Sequence, residues 1–230
     1  MGRPDMSLGI VIQARMGSSR LPGKVLKDIA GRPLLAHVIG RLETLKHAAS
    51  VVVATSDLPR DDVIANWCAS SGTACFRGSE TDVLDRYLRC AEAYGFTDVV
   101  RLTADNPFTD MAELDRLIDL HIDEKYDYSR SFGALPIGVG AEIFTVDALL
   151  RSHAEGHAPH HREHVNEYIP EHPESFRIGI LDVPTEKRAP DLRLTVDTEA
   201  DWRLACRLAE QARGDWLETA EAITLCSRSA

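Results

Sequence analysis

The fold is decided by the stretch Leu8–Lys24, whose sequence is LGIVIQARMGSSRLPGK. Its first part, Leu8–Ala14, is a short apolar run rich in β-branched residues, which predicts a strand buried on both faces. The basic, glycine-containing part that follows then lies at the carboxyl end of a strand. Open α/β sheets bind their ligands at that edge, so this part is a candidate ligand-binding loop.

Outward from this stretch, strand-like and helix-like segments alternate through the first half of the chain. The predicted strands there are residues 8–14, 50–55, 73–76 and 98–102. The predicted helices have apolar residues at a 3.6-residue period and cover 33–45, 61–71, 80–94 and 111–124. Such alternation predicts an α/β fold with a mostly parallel sheet covered by helices on both sides.

The second half has a less regular pattern. Strands are predicted at 126–130, 141–144, 176–183 and 192–196, and helices at 147–153, 160–169 and 199–211. Pro170 is expected to end the helix over 160–169. Because no internal repeat or linker divides the sequence, one domain over residues 1–230 is predicted.

Composition restricts the partners and the compartment. The 230 residues carry a net charge of −10, which disfavours a nucleic-acid or anionic-membrane partner because binding phosphate polymers needs a basic surface. The longest charge-free stretch, Ser131–Ala141, is too short to span a bilayer, and the apolar run Leu8–Ile12 is too short for a secretory signal. We therefore expect a cytoplasmic protein, with its five cysteines reduced.

The loop after the first predicted strand has the composition of a phosphate-binding site. It carries three cations, Arg15, Arg20 and Lys24, together with Gly17 and Gly23. Glycines let backbone amides approach a ligand closely, and amides combined with fixed cations suit a polyphosphate. A solvated basic turn is the alternative without a ligand.

Two common phosphate-binding patterns do not fit this loop. A Walker loop has four residues between its glycines and a Ser or Thr after its Lys, whereas here five residues separate Gly17 from Gly23 and Val25 follows Lys24. The dinucleotide-binding pattern Gly-x-Gly-x-x-Gly is absent as well. P-loop ATPases, GTPases and dinucleotide-binding enzymes are therefore not expected.

The segment Gln13–Lys24 resembles the opening motif of the SpsF-type cytidylyltransferase-like family and, more distantly, that of the enzymes that make CMP-Kdo and CMP-sialic acid. The resemblance continues in order through residues 76–87, 101–107, 162–165 and 193–198. It implies a Rossmann-like, three-layer fold of the nucleotide-diphospho-sugar transferase (GT-A-like) type. It also implies a homodimer, with a small acceptor and dimerisation subregion at about residues 126–190.

The resemblance further implies transfer of CMP from CTP to an acidic sugar or related acid, with release of pyrophosphate and with Mg²⁺ as cofactor. By resemblance, the nucleotide-binding residues are Ala14, Arg15, Met16, Gly17, Ser18, Arg20, Lys24, Arg77, Gly78, Ser79, Asp82 and Thr103. The catalytic residues would be Lys24, Arg15 and Asp105, and the metal ligands would be Asp105 and Asp197. The acceptor-binding residues would be Glu142, Arg162, Glu163 and His164.

The two aspartates can also be argued from their positions. Asp105 and Asp197 each follow a predicted strand, on the side of the sheet where the basic loop lies. Mg²⁺ prefers one or two carboxylates together with phosphate oxygens, and Mg²⁺ with fixed cations neutralises the charge that develops in such transfers. The alternatives without a ligand are a turn that begins at Asp105 and a helix N-cap at Asp197 or Thr198.

Two departures from the family pattern leave the acceptor open. Gly140 stands where many relatives carry Asp, and Asn106 stands where many carry Cys. A zinc site at His160 and His164, one helical turn apart, is a weaker alternative because the His-Glu-x-x-His pattern is absent.

Two further functions compete with cytidylyl transfer. A glycosyltransferase of the same fold commonly carries an Asp-x-Asp motif, but the segment Asp105-Asn106-Pro107 lacks the second Asp. A nucleotide-binding domain without catalysis would not need both aspartates and all three cations.

Overall fold

Nine strands and nine α-helices lie within residues 7–228, the part of the chain that the computed structural model describes. The predicted domain of residues 1–230 extends beyond this part at both ends. The strands are β1 (Leu8–Gln13), β2 (Asp28–Ile29), β3 (Arg32–Pro33), β4 (Ser50–Ser56), β5 (Ala74–Gly78), β6 (Asp98–Thr103), β7 (Tyr128–Arg130), β8 (Glu142–Thr145) and β9 (Ile178–Ile180). The helices are α1 (Leu34–Arg41), α2 (Asp62–Ser71), α3 (Val83–Tyr94), α4 (Met111–Asp123), α5 (Val146–Glu155), α6 (Pro159–Glu163), α7 (Tyr168–Glu171), α8 (Glu199–Glu210) and α9 (Thr219–Arg228).

The central sheet has the strand order β5-β4-β1-β6-β8-β7-β9. Strand β8 is antiparallel to both of its neighbours, and every other pairing is parallel. The predicted mostly parallel sheet is therefore confirmed. In the register, Gln13 lies opposite Ala54 on one side and Thr103 on the other, so the segments leaving β1, β4 and β6 meet at one edge.

Two apolar clusters cover the two faces of this sheet. Alternate residues of β1 point to opposite faces, with Ile10 and Ile12 in the cluster that contains α1, α2, α4 and α8. Val11 packs into the second cluster, with α3 and α5. Each of these fully buried side chains contributes about 1.5–3 kcal/mol through the hydrophobic effect. The predicted three-layer arrangement is thus present.

The predicted strand over 192–196 is wrong. This segment makes one isolated bridge, between Ile137 and Arg193, and its Val196 amide donates to the carbonyl of Asp105 at 2.8 Å. Because both edges of β6 are already paired, with β1 and β8, the segment crosses the end of the sheet and does not join it.

The predicted helix over 160–169 is also wrong, because the chain forms the two short helices α6 and α7 there. His164 has an extended backbone, with φ −113° and ψ 103°, and the next residue, Val165, is fully buried. Pro170 lies inside α7 and does not end the preceding helix. It is tolerated because the first four amides of a helix have no intrahelical acceptor to lose.

Helix α3 begins at Val83, three residues later than predicted, because Asp82 is its N-cap and accepts from the Asp85 amide at 2.9 Å. The hairpin of β2 and β3 and the helix α9 were not predicted. No helix in residues 7–228 combines the length and the apolar character needed to cross a bilayer.

Candidate active site

Lys24 connects the basic loop to both predicted metal ligands. Its Nζ donates to Asp105 Oδ2, to Asp197 Oδ1 and to the carbonyl of Val196, each at 2.8 Å. The lysine side chain is 9% exposed, so these three acceptors replace its water shell. Since one ammonium contacts both carboxylates, the structure brings together the three side chains that the sequence placed in one reaction centre.

The path of the loop explains the position of Lys24. Gly23 adopts the left-handed conformation with φ 71°, which glycine reaches without steric cost, and a short 3₁₀ turn over Lys24–Leu26 follows it. The amides of Gly23 and Ser18 both donate to the Met16 carbonyl, at 3.1 and 3.0 Å. The loop therefore folds back over the ends of β1 and β6.

Buried Asp61 holds the start of the same loop. Its carboxylate accepts from the Met16 amide at 2.7 Å and from the Ser56 hydroxyl. Asp61 occupies the N-cap position of α2, but its side chain makes no capping hydrogen bond. The structure ties this side chain instead to the backbone of the basic loop.

Asp105 is held at the end of β6 by its neighbours. The Thr103 hydroxyl donates to Asp105 Oδ1 at 2.6 Å, and Asn106 Nδ2 donates to the Thr103 hydroxyl at 2.9 Å. The Asp105 carbonyl accepts from the Val196 amide, which docks the segment that carries Asp197.

Asp197 is surrounded by cations. In addition to Lys24, it contacts Arg20 Nη2 at 3.1 Å and forms an ion pair with Arg193. Burial alone would raise the pKa of the Asp197 carboxyl, but the hydrogen bond from Lys24 and the three positive charges hold that pKa below its ordinary value. Thr198, not Asp197, is the N-cap of α8, so the Asp197 carboxylate does not cap this helix.

A polar cavity of about 250 Å³ opens between the loop and the end of β6. It is lined by Gln13, Arg15, Ser18, Ser19, Arg20, Lys24, Val25, Arg101, Thr103, Ala104, Asp105 and Asp197. Four cations and two carboxylates thus face one space, which suits a polyphosphate accompanied by a divalent ion.

A second cavity of about 380 Å³ lies next to the first and shares Arg101 and Thr103 with it. Its apolar walls are Leu102, Phe132, Leu135, Pro136, Ile137, Ala141 and Pro190. Its buried charges neutralise each other, because Glu142 pairs with Arg101 and also accepts from the Tyr128 hydroxyl at 2.7 Å.

Of the four predicted acceptor-binding residues, only Glu142 lines this cavity. Glu163 and His164 are exposed, and Arg162 donates to the His153 carbonyl at 2.8 Å and lies 3.5 Å from Asp82. The roles of all four remain predictions. Asn166, which also lines the cavity, escaped the sequence reasoning because it lies just past the motif at 162–165.

Four of the residues predicted to bind the nucleotide, Arg77, Gly78, Ser79 and Asp82, lie at the far side of the loop. Arg77 donates to the carbonyls of Ser56 and Leu58, both at 3.0 Å, so it is tied to the end of β4. The amide of Asp82 donates to the Ser79 hydroxyl at 3.0 Å, which closes a turn over 79–82. None of Arg77, Gly78, Ser79 and Asp82 lines the two cavities described above.

The residues at the first cavity fit a Mg²⁺ ion. Asp105 and Asp197 offer hard carboxylate oxygens, the type of ligand that Mg²⁺ prefers. One oxygen of each carboxylate, Asp105 Oδ2 and Asp197 Oδ1, lies 2.8 Å from Lys24 Nζ, so the lysine ammonium already bridges the two carboxylates.

The structure does not bring His160 and His164 together as a zinc site. Instead, His160 and His161 contact the two oxygens of Glu171, at 2.9 and 2.8 Å. The Ala158 amide donates to His161 Nδ1, so Nε2 is the ring nitrogen that faces Glu171. This cluster is therefore a hydrogen-bonded link between α6 and α7.

Comparison with known proteins gives consistent results. Residues 9–223 match a protein-family model described as Cytidylyltransferase. The chain is 38% identical over 226 residues to the spore coat polysaccharide biosynthesis protein SpsF of Bacillus subtilis, covering 95% of this chain and 93% of that protein.

Two solved structures resemble the fold. A cytidylyltransferase from Leptospira borgpetersenii superposes with a TM-score of 0.89 at 31% identity, covering 97% of this chain and 95% of that one. A CMP:2-keto-3-deoxy-manno-octonic acid synthetase complexed with CTP superposes with a TM-score of 0.69 at 20% identity, covering 89% and 99%. The second likeness concerns the fold alone.

Proposed function

The chain belongs to the cytidylyltransferase family and is a CTP-dependent nucleotidyltransferase, and we propose that it transfers CMP from CTP to a small acidic sugar or related acid and releases pyrophosphate. The observation that carries this proposal is the contact of Lys24 with both Asp105 and Asp197. That contact joins a cationic loop and two carboxylates in one cavity.

In the proposed reaction, an acceptor oxygen attacks the α-phosphorus and the bond to the leaving pyrophosphate breaks. Catalysis of such a transfer consists mainly of positioning and charge stabilisation. Arg15, Arg20 and the amides near Gly17 hold the phosphates, while Lys24 neutralises charge on the α-phosphate or on the pyrophosphate. When bound by Asp105 and Asp197, Mg²⁺ would supply further neutralisation of the phosphate oxygens.

We place the acceptor in the larger cavity, because it adjoins the phosphate cavity through Arg101 and Thr103. A molecule bound there can direct an oxygen toward the α-phosphorus without crossing solvent. An acidic sugar is supported by a partial sequence match, 38% identity over 106 residues, to a 3-deoxy-manno-octulosonate cytidylyltransferase of Yersinia enterocolitica, and a polysaccharide precursor by the name of the Bacillus subtilis relative. Homodimer formation and a cytoplasmic location belong to the same proposal.

The test is a pyrophosphate-release assay with CTP, Mg²⁺ and a panel of sugar acids, 3-deoxy-manno-octulosonate among them. We expect release that depends on an acid, on Mg²⁺ and on CTP, with ATP, GTP and UTP as controls. No release with any acid, together with nucleoside diphosphate formation from a nucleotide-sugar, would support the glycosyltransferase alternative and refute the proposal.

A further inference from the structure

Two buried polar groups near the turn over 79–82 have unused hydrogen-bonding capacity. Arg86, in the first turn of α3, is 1% exposed, and its Nη1 donates to the Ser79 carbonyl at 2.6 Å, but its Nε and Nη2 have no hydrogen-bond partner. Glu80 pairs through Oε1 with Arg60, while its buried Oε2 has no partner. Buried polar groups are nearly always hydrogen-bonded, so these orphaned atoms need an explanation.

Both groups adjoin the phosphate-binding loop. The Arg60 guanidinium, which pairs with Glu80, lies so close to Gly17 that a Cβ there would be 3.0 Å from Arg60 Cζ. Burial lowers the pKa of the Arg86 guanidinium, and repulsion from Arg15 lowers it further. The loop thus separates the orphaned groups, on the β4 and β5 side, from the phosphate cavity, on the β6 side.

This arrangement suits a nucleotide that extends across the loop, with its phosphates on one side and its base on the other. The Watson–Crick edge of cytosine has an amino donor at N4 and acceptors at N3 and O2. A glutamate carboxylate accepts from N4, and an arginine guanidinium donates to N3 and O2. The orphaned acceptor of Glu80 and the orphaned donors of Arg86 are therefore complementary to cytosine.

We propose that Glu80 and Arg86 determine base specificity by binding the Watson–Crick edge of cytosine, an inference that rests on the proposed use of CTP. Uracil is rejected because its O4 faces the carboxylate and its N3–H faces the guanidinium. Both contacts are then unsatisfied, which is the kind of mismatch that discriminates strongly.

Gly78 contributes to the position of Arg86. A Cβ at this position would lie 3.1 Å from Arg86 Cγ, so glycine leaves room for the arginine stem beneath the turn. The Ser79 carbonyl in the turn over 79–82 accepts from Arg86, and the orphaned atoms are buried, so binding of the base requires this turn to move outward.

The test is calorimetric titration of CTP and UTP, with Mg²⁺, into the wild type and Glu80→Gln. Because Arg60 engages one oxygen of Glu80, the glutamine turns its amide nitrogen toward the base, where it donates to uracil O4 and opposes cytosine N4. We expect the preference for CTP over UTP to fall by about tenfold or more. Arg86→Lys, which keeps the charge but not the paired N–H groups, should weaken CTP binding by about tenfold.

Glu92→Gln and Arg89→Lys are matched controls, because both residues lie on the same helix and pair with each other at 2.8 Å on its surface. They should leave the CTP-to-UTP ratio unchanged. A wild-type ratio in Glu80→Gln would overturn the inference, whether or not Arg86→Lys folds. Equal binding of CTP and UTP by the wild type would contradict the proposed function itself.

Discussion

Lys24 and Asp105 are 81 residues apart in the chain, yet the lysine Nζ lies 2.8 Å from Asp105 Oδ2. The same Nζ lies 2.8 Å from Asp197 Oδ1. In this arrangement the lysine compensates the repulsion between two carboxylates that face one cavity. It also places a positive charge where phosphate oxygens would bind.

Replacement of Lys24 by alanine is expected to lower kcat/KM at least about 100-fold, because it removes a charge-stabilising donor from the reaction centre. Steady-state pyrophosphate release measures the effect. Lys27→Ala is the matched control, since Lys27 lies in the same region but pairs with Glu199 and covers the Trp202 ring. Equal activity of the two variants would remove Lys24 from the mechanism.

Asp197→Asn is expected to raise the Mg²⁺ concentration needed for half-maximal activity by about tenfold, because the variant loses one of two proposed anionic ligands. A Mg²⁺ titration of the reaction rate provides the measurement. Asp182→Asn is the control, as Asp182 has a 90% exposed side chain that pairs only with Arg188 among the described ion pairs. An unchanged Mg²⁺ dependence in Asp197→Asn would contradict the assigned ligand.

Asn166→Ala is expected to raise the KM for the acceptor by about fivefold through loss of a polar wall of the larger cavity, with little change in the KM for CTP. His164→Ala provides the comparison, because His164 is exposed although its motif resembles an acceptor-binding one. Initial rates with each substrate varied in turn separate the two effects. A raised KM for the acceptor in His164→Ala, with an unchanged one in Asn166→Ala, would place His164 at the acceptor site and Asn166 outside it.

Asp110→Ala is expected to reduce the free energy of unfolding by about 3 kcal/mol. Asp110 is buried, caps α4, and accepts from Lys187 at 2.8 Å and from the Thr219 hydroxyl at 2.6 Å, so it attaches α9 to the core. Urea unfolding measures the difference, with exposed Asp123→Ala as control. Comparable losses in both variants would show that the buried contacts of Asp110 contribute little.

The difference in the free energy of unfolding between the wild type and Asp110→Ala should depend on pH. Burial would raise the pKa of the Asp110 carboxyl, but the hydrogen bonds from Lys187 and Thr219 outweigh it and lower that pKa. A depressed folded-state pKa stabilises the fold above the unfolded value of about 3.9, and this contribution is lost as the pH falls through the folded value. The stability difference between wild type and Asp110→Ala should therefore be constant above about pH 5 and shrink below about pH 4. A difference that stays constant at acidic pH would contradict the depressed pKa.

The sequence was sufficient where local patterns decide the structure. Apolar periodicity located the buried strands and most helices of the first half, since such periods depend on which side chains face the core. It failed at 192–196, where a strand-like pattern packs against the end of the sheet because β6 has no free edge. Apolar periodicity also failed at 160–169, where the chain forms two short helices with buried Val165 between them.

The sequence by itself therefore determined a mostly parallel α/β fold and a cationic, glycine-containing loop at the end of its first strand. Only the tertiary structure decided that Lys24 contacts Asp105 and Asp197 and that Asp61 holds the loop. It also decided that Arg86 and Glu80 have buried polar atoms without hydrogen-bond partners. The physical reason is that residue type and spacing act locally. Contacts between distant side chains depend instead on strand order and close packing, which no single segment contains.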